Sequence, residues 1–210
     1  MGSNRTESAH TNPQAGPQTG RRPARQRIFD AAKELFYTNG IRAVGVEGIA
    51  AHAGTTKMSL YRNFDSKDEL VAECLRDHQR DFWEWWNSVT EPLAGDPKAQ
   101  LLALVDAFVG ANCSKESHGC PLANAIVEIQ QEDHPGHAVI MEHKNRMRSS
   151  IRELCEQAGA RDSEHLGDAL MLLVEGGYVS RLTFQCRQGP IHSLPWAARQ
   201  LIESQLSASP

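Results

Sequence analysis

"GTTKMSLYRNFDSKDEL", Gly54 to Leu70, decides how this chain is read. It places a glycine, two threonines, a lysine, a tyrosine, an arginine and an asparagine within ten residues, then breaks at Asp65-Ser66. Leu60 and Phe64, four apart, give one side of a short helix an apolar face. Apart from Met58, the side chains left over carry hydrogen-bonding groups. Ser66, followed three residues later by Glu69, fits a capping box that opens another helix. A short donor-rich helix between two turns, in a chain of formal net charge −4, is either a solvated face or a surface for a polyanionic partner.

The periodicity is helical on both sides of this stretch. Ile28, Ala31, Ala32, Leu35 and Phe36 recur at three- and four-residue steps, and Asn39-Gly40 ends that run as a C-cap does. A second short helix carries Val46, Ile49, Ala50 and Ala53 and closes at Gly54. Downstream, a long helix runs over about 67–90 until Pro92, Gly95 and Pro97 end it. Further helices are expected over 97–112, 121–131, 135–158, 163–187 and 195–207, separated by Gly- and Pro-containing breaks. No period-two pattern competes and no repeat is visible. The fold class is therefore all-α with about nine helices: a polar, disordered tail over 1–20, a three-helix domain over 21–68 and a helical body over 69–210.

The bulk properties narrow the function. No apolar run is long enough to cross a membrane and the first residues hold no signal-peptide segment, so a cytoplasmic protein is expected. Five cysteines without a paired spacing read as reduced thiols. Charge is uneven: Arg21 to Leu70 holds nine Lys/Arg against six Asp/Glu, and the chain beyond holds twelve against nineteen. A basic first third on an acidic body localises any polyanion-binding face. No nucleophile motif, phosphate loop or zinc-ligand spacing is present, so no enzyme activity, cofactor or metal is expected; His134, His137 and His143 do not share a face, and Cys113, His118 and Cys120 span a loop.

Two short helices joined at a glycine form a helix-turn-helix, whose second helix enters the DNA major groove. Thr55 or Thr56 caps that helix and meets a phosphate. Lys57, Met58 and Ser59 occupy its first turn, nearest the base edges, while Tyr61, Arg62 and Asn63 stay at the surface. Lys67 adds its ammonium to the N-terminus of the next helix. Two roles stay open for Arg21, Arg22, Arg25 and Arg27: a phosphate- or minor-groove-binding arm, or a solvated basic run.

Residues 24–70 resemble the DNA-binding domain of the tetracycline-repressor (TetR/AcrR) family. The resemblance is carried by "AAKELFYTNG" closing helix one, "VEGIAAHAGTTKMSLYRNF" for helices two and three, and "DSKDEL" opening helix four. It implies a homodimeric, all-helical transcriptional regulator, usually a repressor, that binds palindromic operator DNA and leaves it when a small ligand fills the body. It implies that Thr55, Thr56, Lys57, Met58, Ser59, Tyr61, Arg62, Asn63 and Lys67 lie at the DNA. Gly45, Thr55 and Met58 depart from the usual family residues.

In the body, each aromatic can pack as core against the helices that follow, and their density as a group points to a cavity for a small apolar or aromatic effector. Phe82, Trp83, Trp86, Phe108, Cys113, Cys120, Met141 and Tyr178 are its candidate wall. An alternative trigger is a thiol: Pro121 suits the first position of a helix, which puts Cys120 at the N-cap, with Cys113 as a resolving partner. The family resemblance implies that the last two helices, with Gly176-Gly177 in the first of them, form the dimer interface.

Overall fold

The computed structural model describes residues 22–113, 118–184 and 189–206. The expected disordered tail lies outside these residues. The described residues form nine α-helices, two 3₁₀ turns (Glu91–Leu93 and Pro190–Ser193) and no strand. The helices are α1 Ala24–Asn39, α2 Val46–His52, α3 Lys57–Asn63, α4 Lys67–Thr90, α5 Pro97–Asn112, α6 Pro121–Glu128, α7 Pro135–Gln157, α8 Ser163–Phe184 and α9 Leu194–Leu206.

Local chemistry explains where these helices start. Thr56, Ser66 and Asp96 accept the backbone N–H three residues on, at 3.2, 3.0 and 2.9 Å. Proline opens α5, α6 and α7, where its missing N–H is not needed. The sixth helix stops at Glu128 rather than near residue 131. Ile129 is extended yet buried, so its side chain keeps the apolar period after the backbone has left the helix.

Three apolar clusters hold the chain. Ile28, Ala32, Ile49, Leu60, Phe64, Leu70 and Cys74 bind α1–α3 to the first turns of α4. Trp83, Trp86, Leu101, Phe108, Met147, Leu170 and Ile202 fill the body. Val71, Leu75, Leu122, Ile129 and Ile140 join the two, bringing α6 and α7 against α4. Helix α4 contributes to all three, so its packed side chains join the three-helix domain to the body.

Polar ties reinforce this joint. Lys33 of α1 binds Asp77 and Asp81 of α4, the latter at 2.9 Å, and Arg25 binds Glu73 at 2.6 Å. Burial pushes the Cys74 thiol up to about 12, which makes it an inert packing group.

The cysteines require a correction. Cys74, Cys120 and Cys155 are free thiols, but Cys113 is disulfide-bonded. An odd cysteine count forbids complete pairing without forbidding one pair.

The glycine pair in α8 also divides. A Cβ on Gly177 would sit 2.9 Å from Leu194 Cδ1 and 3.0 Å from Phe108 Cε1, so this glycine serves packing within the chain. A Cβ on Gly176 would meet nothing within 4 Å.

Candidate nucleic-acid interface and body cavities

The surface around α3 is built by opposing demands on one short helix. Leu60 is fully buried and Phe64 nearly so, which fixes the inner face. Gly54 adopts φ +60°, a turn conformation most side chains resist, and lets α3 cross α2. Arg27 secures this turn from α1 by donating to the carbonyls of Ala53 (2.6 Å) and Gly54 (3.0 Å).

The outer face follows from that anchoring. Met58 is 64% exposed and Tyr61 47%, and Thr56, Lys57 and Arg62 are exposed beside them. Lys57 pairs with Glu47 of α2 at 2.6 Å; the shared hydrogen bond raises the lysine and lowers the carboxylate. Asn63 donates to the Ser59 carbonyl at 2.7 Å, and both are half-buried with Thr55. Gly45, at the N-cap of α2, offers no side-chain cap.

Two adjoining cavities lie behind this surface. One, of about 310 Å³, is walled by Phe82 and Trp85 of α4, Phe108 of α5, Cys120 at the start of α6 and Tyr178 of α8. The Tyr178 ring meets Phe108 edge-on at 4.7 Å, and burial raises its phenol well above the ordinary tyrosine value. Lys144 lies behind this wall, 2.6 Å from Glu175 and 3.9 Å from Cys120 Sγ. The second cavity, about 450 Å³, lies between α1, α4 and α6 and is floored by Phe36, Ile41, Val71 and Leu75. Tyr37, His78 and Pro121 line both. The Tyr37 hydroxyl accepts the His118 N–H at 2.8 Å and donates to the Gly119 carbonyl at 3.3 Å.

Residues 28–74 match the family model described as bacterial regulatory proteins, tetR family. The chain is 32% identical over 165 residues to the transcriptional repressor KstR2 of Rhodococcus jostii, covering 75% of this chain and 76% of the relative. This protein belongs to the TetR family.

It is also 28% identical to the transcriptional regulator UidR of Escherichia coli, over 72% of this chain and 71% of that one. A solved TetR-family regulator from Streptomyces coelicolor superposes with a TM-score of 0.82 at 25% identity, covering 88% of this chain and 96% of that one. The chain is thus a TetR-family transcriptional regulator with repressor relatives, a family of DNA-binding regulators rather than enzymes.

Not every candidate in this TetR-family protein sits where the sequence placed it. Thr56, Lys57, Met58, Tyr61 and Arg62 share one exposed face. Lys67 instead donates to the Ile41 carbonyl at 2.6 Å, with its ammonium 5.9 Å from the centre of the Phe36 ring. Arg22, Arg25 and Arg27 bind Asp30, Glu73 and the Gly54 turn respectively, and Arg21 lies outside the described residues.

Of the candidate cavity wall, Phe82, Phe108, Cys120 and Tyr178 line the 310 Å³ cavity. Trp83 and Trp86 belong to the body core but each also lines a separate cavity, Trp86 with Trp85 and Phe108 and Trp83 with Arg80 and Arg146, while Met141 is 47% exposed on α7 and Cys113 lines none of these cavities. Sequence reasoning missed Tyr37, His78 and Trp85. For α4 the signal was there: His78, Phe82 and Trp85 follow the i, i+4, i+7 spacing of a single helical face.

Among the described residues no cluster of three potential metal ligands occurs, and no helix is long and apolar enough to cross a membrane.

Proposed function

We propose that this regulator is a homodimeric repressor that holds palindromic operator DNA through α3 and is released by a small molecule bound in its body. The observation that carries this reading is the two-sided α3: Leu60 fully buried, with Met58 and Tyr61 widely exposed beside Lys57 and Arg62. Exposed methionine and tyrosine on a seven-residue helix serve no packing need in the single chain. They suit thymine methyl groups and phosphates in a major groove. Thr55, Ser59, Asn63 and Lys67 are proposed as supporting residues that shape this face or reach the backbone of the DNA.

A dimer is supported by apolar side chains left in the open on α8 and α9. Leu172 is 72% exposed, Trp196 67% and Val179 65%, and Leu172 and Val179 lie seven residues apart on one helical face. Two such helices from each subunit would bury them, and would set two α3 helices about 34 Å apart for successive major grooves. Release by a ligand is supported by the cavities at the joint of α1, α4 and α6, where occupancy changes the angle of α4. A ligand fits better than a thiol trigger, since Cys120 is only 4% exposed and Cys113 is already in a disulfide.

The test is selection of duplexes from a random pool, followed by fluorescence anisotropy. Specific binding that falls at least tenfold in Lys57→Ala/Tyr61→Ala supports the reading. Unchanged duplex binding by that variant would overturn it.

A further inference from the structure

The two cavities share Tyr37, His78 and Pro121, so their walls meet at the line where the DNA-binding helices join the body. They differ in character. The body chamber is faced by aromatic rings, which favour a flat ring system. The joint chamber has an aliphatic floor, with Ile41, Val71 and Leu75 beside Phe36. His78, at the divide, makes no hydrogen bond among the described residues. Burial lowers its pKa to about 4, so it presents a neutral imidazole with one donor and one acceptor.

The charges along the joint chamber argue against an anion. Its one described cationic side chain, Lys33, is held by Asp77 and Asp81, and Asp30, Glu34 and Glu128 also line it. We propose that the effector is an uncharged, elongated molecule lying across both chambers: a ring in the body, an aliphatic chain against α1, and a carbonyl or hydroxyl at the join bonded to His78. Its chain would touch the DNA-binding helices directly, with Tyr37 as the residue it must pass. Such a ligand loosens the hold of Tyr37 on His118 and Gly119 without relying on relay through the core.

This inference rests on the ligand-release reading, and the two separate experimentally. Equilibrium dialysis of the full chain with octanophenone, acetophenone and octylbenzene tests it without DNA. Octanophenone should bind at least about tenfold tighter than acetophenone, because the longer chain buries more methylene groups, and tighter than octylbenzene, which lacks the carbonyl. Thr38→Trp, an exposed change at the joint chamber, should bring octanophenone down to the acetophenone level and leave acetophenone unchanged. His78→Phe, checked for folding by circular dichroism, should erase the advantage over octylbenzene. Equal binding of the two ketones, no binding of either, or an inert Thr38→Trp would overturn the two-chamber site. Release of bound duplex by any of the three compounds under those results would leave the ligand-release reading standing, and a duplex held in the presence of all three would count against that reading as well.

Discussion

Glu128, the last residue of α6, accepts the backbone N–H of Arg42 at 2.8 Å. The bond ties the helix that borders both cavities to the loop leading into α2. It is exposed, so water replaces it at little cost, under about 1 kcal/mol. Glu128→Ala should therefore leave thermal stability almost unchanged. The Arg42 amide should nevertheless exchange with solvent about three- to fivefold faster, since its opening no longer breaks a bond. Hydrogen exchange read at Arg42 checks this, and unchanged protection would mean that the loop is held by packing alone.

Glu47 holds Lys57 at 2.6 Å on the face assigned to DNA. A phosphate approaching Lys57 must displace that carboxylate and meets its charge as well. Glu47→Gln should therefore strengthen duplex binding by about three- to tenfold, most at low salt where the carboxylate is least screened. Anisotropy titrations at two salt concentrations measure it. Weaker binding would show that Glu47 positions Lys57 for the DNA.

Met58 and Arg62 should fail differently. Arg62→Ala removes one cation, and should reduce the magnitude of the salt slope of binding by about 1 while weakening all sequences alike. Met58→Ala should keep the salt slope and relax preference at one base pair, by about 1–3 kcal/mol if it packs on a thymine methyl. Binding of single-substituted duplexes over a salt series separates the two outcomes.

Much of this architecture was legible in the sequence, and the reason lies in local chemistry. Ser66 and Glu69 announced the start of α4, and Pro92, Gly95 and Pro97 its end; the helix runs Lys67–Thr90. Leu60 and Phe64 announced which side of α3 is buried. The cavities were less legible because they arise between helices distant in sequence. Nothing local to Tyr37 says that its hydroxyl meets the backbone at His118 and Gly119, more than eighty residues on. In "FWEWW" every turn offers an aromatic, and only the spacing from His78 and Phe82 marks the face that carries Trp85. Lys67 shows a further limit, since a long flexible side chain takes whichever acceptor tertiary structure brings near.

Adjacent glycines of α8 should separate folding from assembly. Gly177→Ala forces a methyl against Leu194 and Phe108, and should destabilise the chain by about 1–3 kcal/mol in urea denaturation. Gly176→Ala meets nothing within the chain, so helix propensity should make the isolated fold up to about 1 kcal/mol more stable. If a second copy packs closely there, the same change weakens self-association. Sedimentation equilibrium of both variants is the check, and a dimer indifferent to Gly176→Ala would move the contact elsewhere on α8.

His143 makes stability depend on pH. It is 1% exposed, its Nδ1 has no partner, and Phe82 meets its ring edge-on at 4.7 Å. Burial, aided by Lys144, His78 and Arg146, pushes its pKa down to about 3. In the unfolded chain the imidazole titrates near about 6.5. Between those values the unfolded state binds the extra proton, so this contribution is complete above the unfolded value and is lost as pH falls below it. At pH 5 the loss from this residue is about 2 kcal/mol. His143→Leu removes the buried polar atom and the titration together. Urea unfolding at pH 7.5 and pH 5 should therefore show a pH-dependent loss about 2 kcal/mol smaller in the variant. Identical losses in the two proteins would mean that His143 is already solvated in the folded state.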